Sequence, residues 1–236
     1  MRINTNINSM RTQEYMRQNQ DKMNTSMNRL SSGKSINSAA DDAAGLAIAT
    51  RMRAKEGGLN VGARNTQDAM SAIRTGDAAL GSVSNILLRM RDLATQAANG
   101  TNDTKDTASL NKEYGQLKEE IVHIAEKTNF NGNSFLNSSG DGTTTKGPKG
   151  TNITIQLSDA ASDVLTIAAI DVKALTSTTL GTLTDGTTAA TEMGKLDTAI
   201  QNVADARATF GSQLNRLDHN LNNVTSQATN MAAAAS

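Results

Sequence analysis

The 236-residue sequence has no cysteine, no tryptophan, a single proline and no excess of charge of either sign. Without cysteine there is no disulfide framework, no thiolate nucleophile and no Cys-based zinc site. Lys plus Arg balance Asp plus Glu at 23 each, which removes the electrostatic footprint of a nucleic-acid or acidic-membrane binder. Aromatic content is only 2%, confined to Tyr15, Tyr114, Phe130, Phe135 and Phe210. A round core leans on such side chains, each burying about 150–250 Å². Here Ala, Leu, Ile and Met must replace them, which suits thin helical bundles. No long uncharged apolar run is present to span a membrane. The opening residues Met1-Arg-Ile-Asn-Thr-Asn-Ile-Asn-Ser-Met10 have neither an apolar h-region nor a cleavage box, so no cleavable secretory signal is expected.

What the chain does have is heptad order near both ends. One seam reads Ile73, Gly76, Leu80, Val83, Leu87, Met90, Ala94 and Ala97. The other reads Leu196, Ile200, Val203, Arg207, Phe210, Leu214, Leu217, Leu221, Val224, Ala228 and Met231. Steps alternating between three and four residues are what coiled-coil packing requires. Long helices at both ends, with Pro148 between them, point to a rod or filament subunit. The ten Met residues, most of them on or beside apolar stripes, read as flexible packing in helix seams rather than as metal ligands.

Between the seams the organisation is legible in outline. Residues 3–30 carry a narrow stripe of Ile3, Ile7, Met10, Met16, Met23, Met27 and Leu30, an amphipathic helix in need of a partner. Ser31-Ser-Gly33-Lys34 ends it. Ser38 is the expected N-cap of a second helix, with Asp41 and Asp42 near its positive end. That helix is expected to run from about residue 40 to 99, through Gly57, Gly58 and Gly62, despite a cost of roughly 1 kcal/mol per glycine. Asn99-Gly100 should cap it. After a polar loop, Thr101–Thr107, a third helix carries Leu110, Tyr114, Leu117, Ile121 and Ile124. The stretch from Asn129 to Leu136 reads as a turn anchored by Phe130 and Phe135, and residues 138–151 as a loop. Ile153, Ile155 and Leu157 alternate as a strand. Leu165 and Ile167 form its partner, and the phase change to Ile170 and Val172 predicts a bulge at Ala168-Ala169. Such a hairpin needs helices to lie against. Thr176–Thr191 is the expected exposed tip.

One block is far more specific. Leu30-Ser-Ser-Gly-Lys-Ser-Ile36-Asn-Ser-Ala-Ala-Asp-Asp-Ala-Ala-Gly-Leu-Ala-Ile48 closely resembles the N-terminal signature of bacterial flagellins. So do Met1-Arg-Ile-Asn-Thr-Asn, the stretch from Leu87 through Ala94-Thr-Gln, the turn Thr128-Asn-Phe-Asn-Gly132 and Asn215-Arg-Leu217. The resemblance covers residues 1–137 and about 192–236 and is nearest to compact flagellins of Gram-positive bacilli. The flagellar hook–filament junction protein shares the end architecture. It usually has proline in the paired-Asp block, where this chain has Ala43-Ala44-Gly45, so flagellin is favoured.

The resemblance implies a mainly α fold: an elongated helical rod of long antiparallel helices with a small β-hairpin and short loops. Residues 1–40 would be the N-terminal half of a filament-core coiled coil and its spoke. Residues 41–137 with 192–236 would form the rod, and 138–191 the hairpin and a short variable surface segment. It implies a structural filament subunit serving swimming motility, secreted to the flagellum. Its partners would be other flagellin subunits, the flagellar export apparatus and the filament cap, with no cofactor, no nucleic acid and no membrane insertion. Ile3, Ile7, Met10, Met23, Met27 and Leu30 would be polymerisation residues. Leu80, Val83, Leu87, Met90, Leu196, Ile200, Val203, Phe210, Leu214, Leu217 and Leu221 would form the rod seam. In the family the C-terminus continues into a helix that pairs with the N-terminal one, whereas this sequence stops at Ser236. A chain of this length is therefore expected to stay monomeric and not to extend filament seeds.

Arg89, Leu93 and Glu113 match positions through which the flagellin-sensing Toll-like receptor recognises the family. Arg89 and Leu93 lie four apart on one helix face, and a central Arg beside an apolar anchor suits a hot spot. Leu93 fits equally as an extension of the apolar stripe, and Arg89 and Glu113 as surface charges. Enzymatic readings are weak. Glu120-Ile-Val-His123 has a di-iron spacing but no second copy, and Arg216 precedes His219 by three residues, which would repel a metal. No His-Glu-x-x-His motif, nucleophile elbow, P-loop or Rossmann glycine pattern occurs. The alternative is a hydrolase or secreted surface adhesin within residues 138–191, a segment with no His and few carboxylates.

Overall fold

The computed structural model describes residues 6–134, 136, 152–172 and 180–235. Their elements are four helices, α1 (Ile7–Ser32), α2 (Ala43–Ala97), α3 (Thr104–Lys127) and α4 (Gly186–Ala235), with strands β1 (Ile153–Gln156) and β2 (Val164–Ile167). The architecture is mainly α with one small antiparallel hairpin, as the sequence implies. The chain divides into two compact units, Met1–Asn60 with Thr225–Ser236, and Val61–Val224.

In the first unit, the Asn6 side chain accepts the Ser9 N–H at 3.3 Å to start α1. Gly33, at φ 67°, ends it in the left-handed region that a side chain would disfavour. The following turn corrects one expectation. Ser38 does not cap α2; its N–H and hydroxyl both donate to Asp41 Oδ2, at 3.0 and 3.1 Å. The cap is Asp42, whose Oδ1 accepts the N–H groups of Ala44 and Gly45 at 3.0 Å. The paired aspartates thus divide the work, one closing the turn and the other opening the helix. Gly45 is required there, because a Cβ would come within 2.5 Å of both Asp42 Oδ2 and the Ile36 side chain.

The core of the second unit is the antiparallel packing of α2 on α4, tied by Arg91–Asp197 at 2.5 Å and Arg207–Asp77 at 2.8 Å. From Gly62, α2 buries Thr66, Ala69, Ile73, Gly76, Leu80, Val83, Leu87, Met90, Ala94 and Ala97 in unbroken three-four steps. Gly57, Gly58 and Gly62 are carried within α2, as expected, because packing outweighs their propensity cost. On α4 the buried series is Ala189, Glu192, Leu196, Ala199, Val203, Phe210, Gln213, Leu217 and Val224. Positions 196, 203, 210, 217 and 224 agree with the predicted seam; the intervening ones shift by one residue. Ile200, Leu214 and Leu221 are half-buried, and Arg207 is exposed in its ion pair. Small side chains at 199 and 206 let the helices approach closely, while the larger apolar neighbours flank the contact. The amides of Gln213 and Asn220 each leave a buried atom without a hydrogen bond, a cost in stability of the kind that fixes register in helical seams.

Helix α2 stops at Ala97, and Gly100 is not left-handed. The loop after it is shorter than predicted, since Asp103 and Asp106 form a capping box that starts α3 at Thr104. The turn at Phe130–Asn133 closes through reciprocal 3.0 Å bonds, with Asn131 and Gly132 at φ 51° and 80°. Phe130 packs against the core and Leu136 is buried within it; Phe135 lies outside the described residues.

In the hairpin Ile155 faces Leu165 and Ile153 faces Ile167, so one apolar face meets the helices. β2 ends at Ile167 without the predicted bulge. The phase changes because the chain leaves the sheet: Ala169 donates to Asn152 Oδ1, and Val172 donates to the Leu136 carbonyl. The hairpin crosses α2 at Gly62, where a Cβ would lie 2.4 Å from the Leu157 carbonyl oxygen. One turn on, Asn65 Nδ2 donates to the Gln156 carbonyl at 3.2 Å. The expected exposed tip is corrected in part: residues 176–179 lie outside the described ones, and 182, 184–187, 190 and 191 are exposed. Leu180, Leu183 and Ala189 are buried, and α4 begins at Gly186, where Asp185 and Thr188 cap each other.

Candidate functional site

Helix α1 buries none of its residues. Ile7, Met10, Met16, Met23, Met27 and Leu30 are all exposed, Leu30 at 84%; Ile3 lies outside the described residues. Burying side chains of this size is worth about 1.5–3 kcal/mol each, so such a stripe is a surface prepared for contact.

The second candidate surface joins α2 to α3. Arg89 donates to Glu113 Oε1 from both Nε and Nη2, at 2.9 and 2.8 Å, and both side chains stay about half exposed. Leu93 requires a correction. At 1% exposure it lies in the core beside the α2 series and presents no surface, so it is not the apolar anchor of the patch. The exposed apolar neighbour on that helix is Leu88.

Next to Glu113 on α3, Tyr114 enters a polar cluster that the sequence reading missed. Glu192 is only 3% exposed. Its Oε2 accepts the Gly181 N–H at 2.7 Å and the Tyr114 hydroxyl at 3.2 Å, and its Oε1 accepts from Lys195 Nζ at 2.7 Å. Lys118 Nζ donates to the Leu180 carbonyl at 2.5 Å, and the Leu183 N–H donates to Asn111 Oδ1 at 2.8 Å. Residues 180–183 are therefore strapped to α3 and α4 by side chains on both. Gly181 is dictated by proximity, since a Cβ would sit 2.9 Å from Glu192 Oε1. A carboxylate at a seam position, seven residues before Ala199, was the available signal.

Burial, then the charge of Glu192 and the hydrogen bond to it, pushes the Tyr114 phenol well above its ordinary value of 10.0. A group raised on folding contributes stability that is complete below its unfolded pKa and lost as pH climbs beyond it. Above pH 10, wild-type stability should fall by about 1.4 kcal/mol per pH unit from this residue. Melting curves at increasing pH should show that slope, and Tyr114→Phe should flatten it; equal slopes for the two proteins would contradict the assignment.

Comparison with known proteins is decisive at this point. Residues 3–141 match the bacterial flagellin N-terminal helical region and residues 193–236 the C-terminal helical region. The chain is 38% identical to a flagellin of Listeria monocytogenes, over 100% of its own length and 85% of that protein. The chain belongs to the flagellin family. A second relative, the flagellin of Halalkalibacterium halodurans, is 37% identical over 100% of this chain and 84% of the other. The crystal structure of Bacillus cereus flagellin shares 71% identity and a TM-score of 0.63, over 73% of this chain and 94% of that one. A Vibrio parahaemolyticus structure titled as a flagellar hook-associated protein, at 14% identity and a TM-score of 0.66, shares the fold alone. Flagellins are structural components of the flagellar filament, assembled from many subunits, and not enzymes. His123 is 3.8 Å from Glu120 on an exposed helix face, and among the described residues no three His, Asp or Glu side chains gather as metal ligands. No helix among them is long and apolar enough to cross a membrane.

Proposed function

We propose that this flagellin-family protein is exported through the flagellar apparatus and secreted beyond the cell. There it is added beneath the filament cap and, with α1 paired to the C-terminal helix of the family, polymerises into the propeller that drives swimming. The observation that supports this most is the wholly exposed apolar stripe of α1, which gains its burial only when another helix covers it. The α2–α4 seam supplies the stiff body that carries the load, and Ile3 extends the contact residues toward the N-terminus.

In the same reading, the Arg89–Glu113 patch is where the flagellin-sensing Toll-like receptor of a host docks. Support comes from the bidentate bridge across two helices, which holds a guanidinium half exposed in fixed orientation. Arg89→Ala should reduce receptor signalling in a reporter cell line by roughly tenfold or more, while helicity by circular dichroism stays unchanged. Undiminished signalling from a folded Arg89→Ala protein would remove the receptor assignment without touching the filament one.

A further inference from the structure

Two Asn-Gly pairs lie among the described residues, Asn99-Gly100 after α2 and Asn131-Gly132 in the turn after α3, and both are exposed. Asn-Gly is the dipeptide in which a backbone nitrogen can attack the preceding side-chain amide, because glycine places no side chain in the way. The two pairs are prepared very differently.

At Asn99 the side chain folds back over its own backbone, and Oδ1 accepts the Thr101 N–H at 3.4 Å. Closing that turn carries Cγ toward the Gly100 nitrogen lying between them. The Thr101 N–H also points at the oxygen on which negative charge would develop during attack, as an oxyanion donor does. The Gly100 N–H itself has no hydrogen-bond partner among the described residues, so the nucleophile is free. The flanking backbone is held by bonds from Asn99 N–H to Gln96 O and from Asn102 N–H to Asn99 O, both 3.2 Å.

At Asn131 none of this holds. The Gly132 N–H is engaged by Asn129 Oδ1 at 3.3 Å. The turn is clamped by the reciprocal Phe130–Asn133 bonds with Asn131 at φ 51°. Among the described residues nothing donates to the Asn131 side-chain oxygen.

We infer that Asn99 is a self-modification site, converting without an enzyme to aspartate and isoaspartate. The Gly100 amide loses its proton to solvent base and its nitrogen bonds to Asn99 Cγ. The Cγ–Nδ2 bond then breaks and ammonia leaves. Water opens the resulting cyclic imide at either carbonyl, giving aspartate or an isoaspartate whose main chain is one methylene longer. Each conversion adds one negative charge between the C-terminus of α2 and the Asp103–Asp106 cap of α3. The isoaspartate route also disturbs the bonds that close the end of α2. The modification is a clock on the age of the folded subunit, set by this loop.

The test is incubation of the folded protein in mildly alkaline buffer, with timed samples digested and mapped by mass spectrometry that separates aspartate from isoaspartate. Asn99 should gain its one mass unit roughly tenfold faster than Asn131, since at one the side-chain carbonyl is turned over a free Gly100 amide and at the other the Gly132 amide is engaged. In denaturant the two should convert at similar rates. Gly100→Ala should slow the reaction and Asn99→Gln should abolish it, both with an unchanged melting curve. Conversion of Asn131 at the same rate as Asn99 in the folded protein, or faster conversion of Asn99 in denaturant, would overturn the inference.

Discussion

Gly62→Val is expected to lift the hairpin off α2 and to lower stability by about 4 kcal/mol. The new side chain would have to occupy the space of the Leu157 carbonyl, a backbone atom 2.4 Å from where its Cβ would stand. Backbone cannot yield as a flexible side chain does, so either β1 moves or α2 bends. Moving β1 breaks the Asn65–Gln156 bond and uncovers Leu157, Leu165 and Ile167. Each is worth about 1.5–3 kcal/mol when fully buried, and part of that sum survives because the hairpin can settle nearby. Hydrogen exchange should show lost protection at the hairpin amides with α3 unaffected. Gly57→Ala is the internal comparison: nothing lies within 4 Å of its would-be Cβ, so it should stabilise by about 0.8–1 kcal/mol through helix propensity alone. Two helical glycines should thus respond with opposite sign. A Gly62→Val protein as stable as wild type would show that the hairpin is not seated on that residue.

Glu192→Ala is expected to be nearly as damaging. It leaves the Gly181 N–H and the Tyr114 hydroxyl without their acceptor inside the protein, and Lys195 without its partner. Each buried donor left unsatisfied costs about 1–3 kcal/mol, so a loss of about 2–5 kcal/mol in chemical denaturation should follow. Glu192→Gln keeps an acceptor and should lose less than half as much. The strap at 180–183 should open before the rest of the unit, seen as early exchange of the Gly181 and Leu183 amides. If Glu192→Ala and Glu192→Gln cost the same, the strap owes its position to Leu180 and Leu183 burial rather than to the carboxylate.

The helical framework was legible because its periodicity is carried by residue after residue. From Ile73 to Ala97 every predicted seam position is buried. On α4 alternate positions were legible and the others were not. A reading that favours large apolar residues selects Ile200, Leu214 and Leu221, whereas close helix approach selects Ala199 and places Gln213 inside. The turn before α2 was misread for a related reason. Three residues within one turn, Ser38, Asp41 and Asp42, can all cap, and only the folded bonds, Ser38 to Asp41 and the Ala44 and Gly45 amides to Asp42, show which one does. The same limit applies to the candidate site. Arg89 and Glu113 were identifiable as exposed charges by resemblance, whereas spacing left Leu93 open between stripe and patch, and its burial decides for the stripe. Glu192 escaped attention because its partners come from α3, α4 and a strap far apart in sequence.

The account stands on α1 being the surface through which subunits join. The most direct measurement is electron microscopy of a bacterium whose flagellin gene carries Met23→Glu with Met27→Glu. Both side chains are more than half exposed and make no contact that folding needs, so the variant should be exported and folded, with its seam intact. The account predicts secreted subunits and no filaments. Filaments of normal length and number on those cells would contradict it.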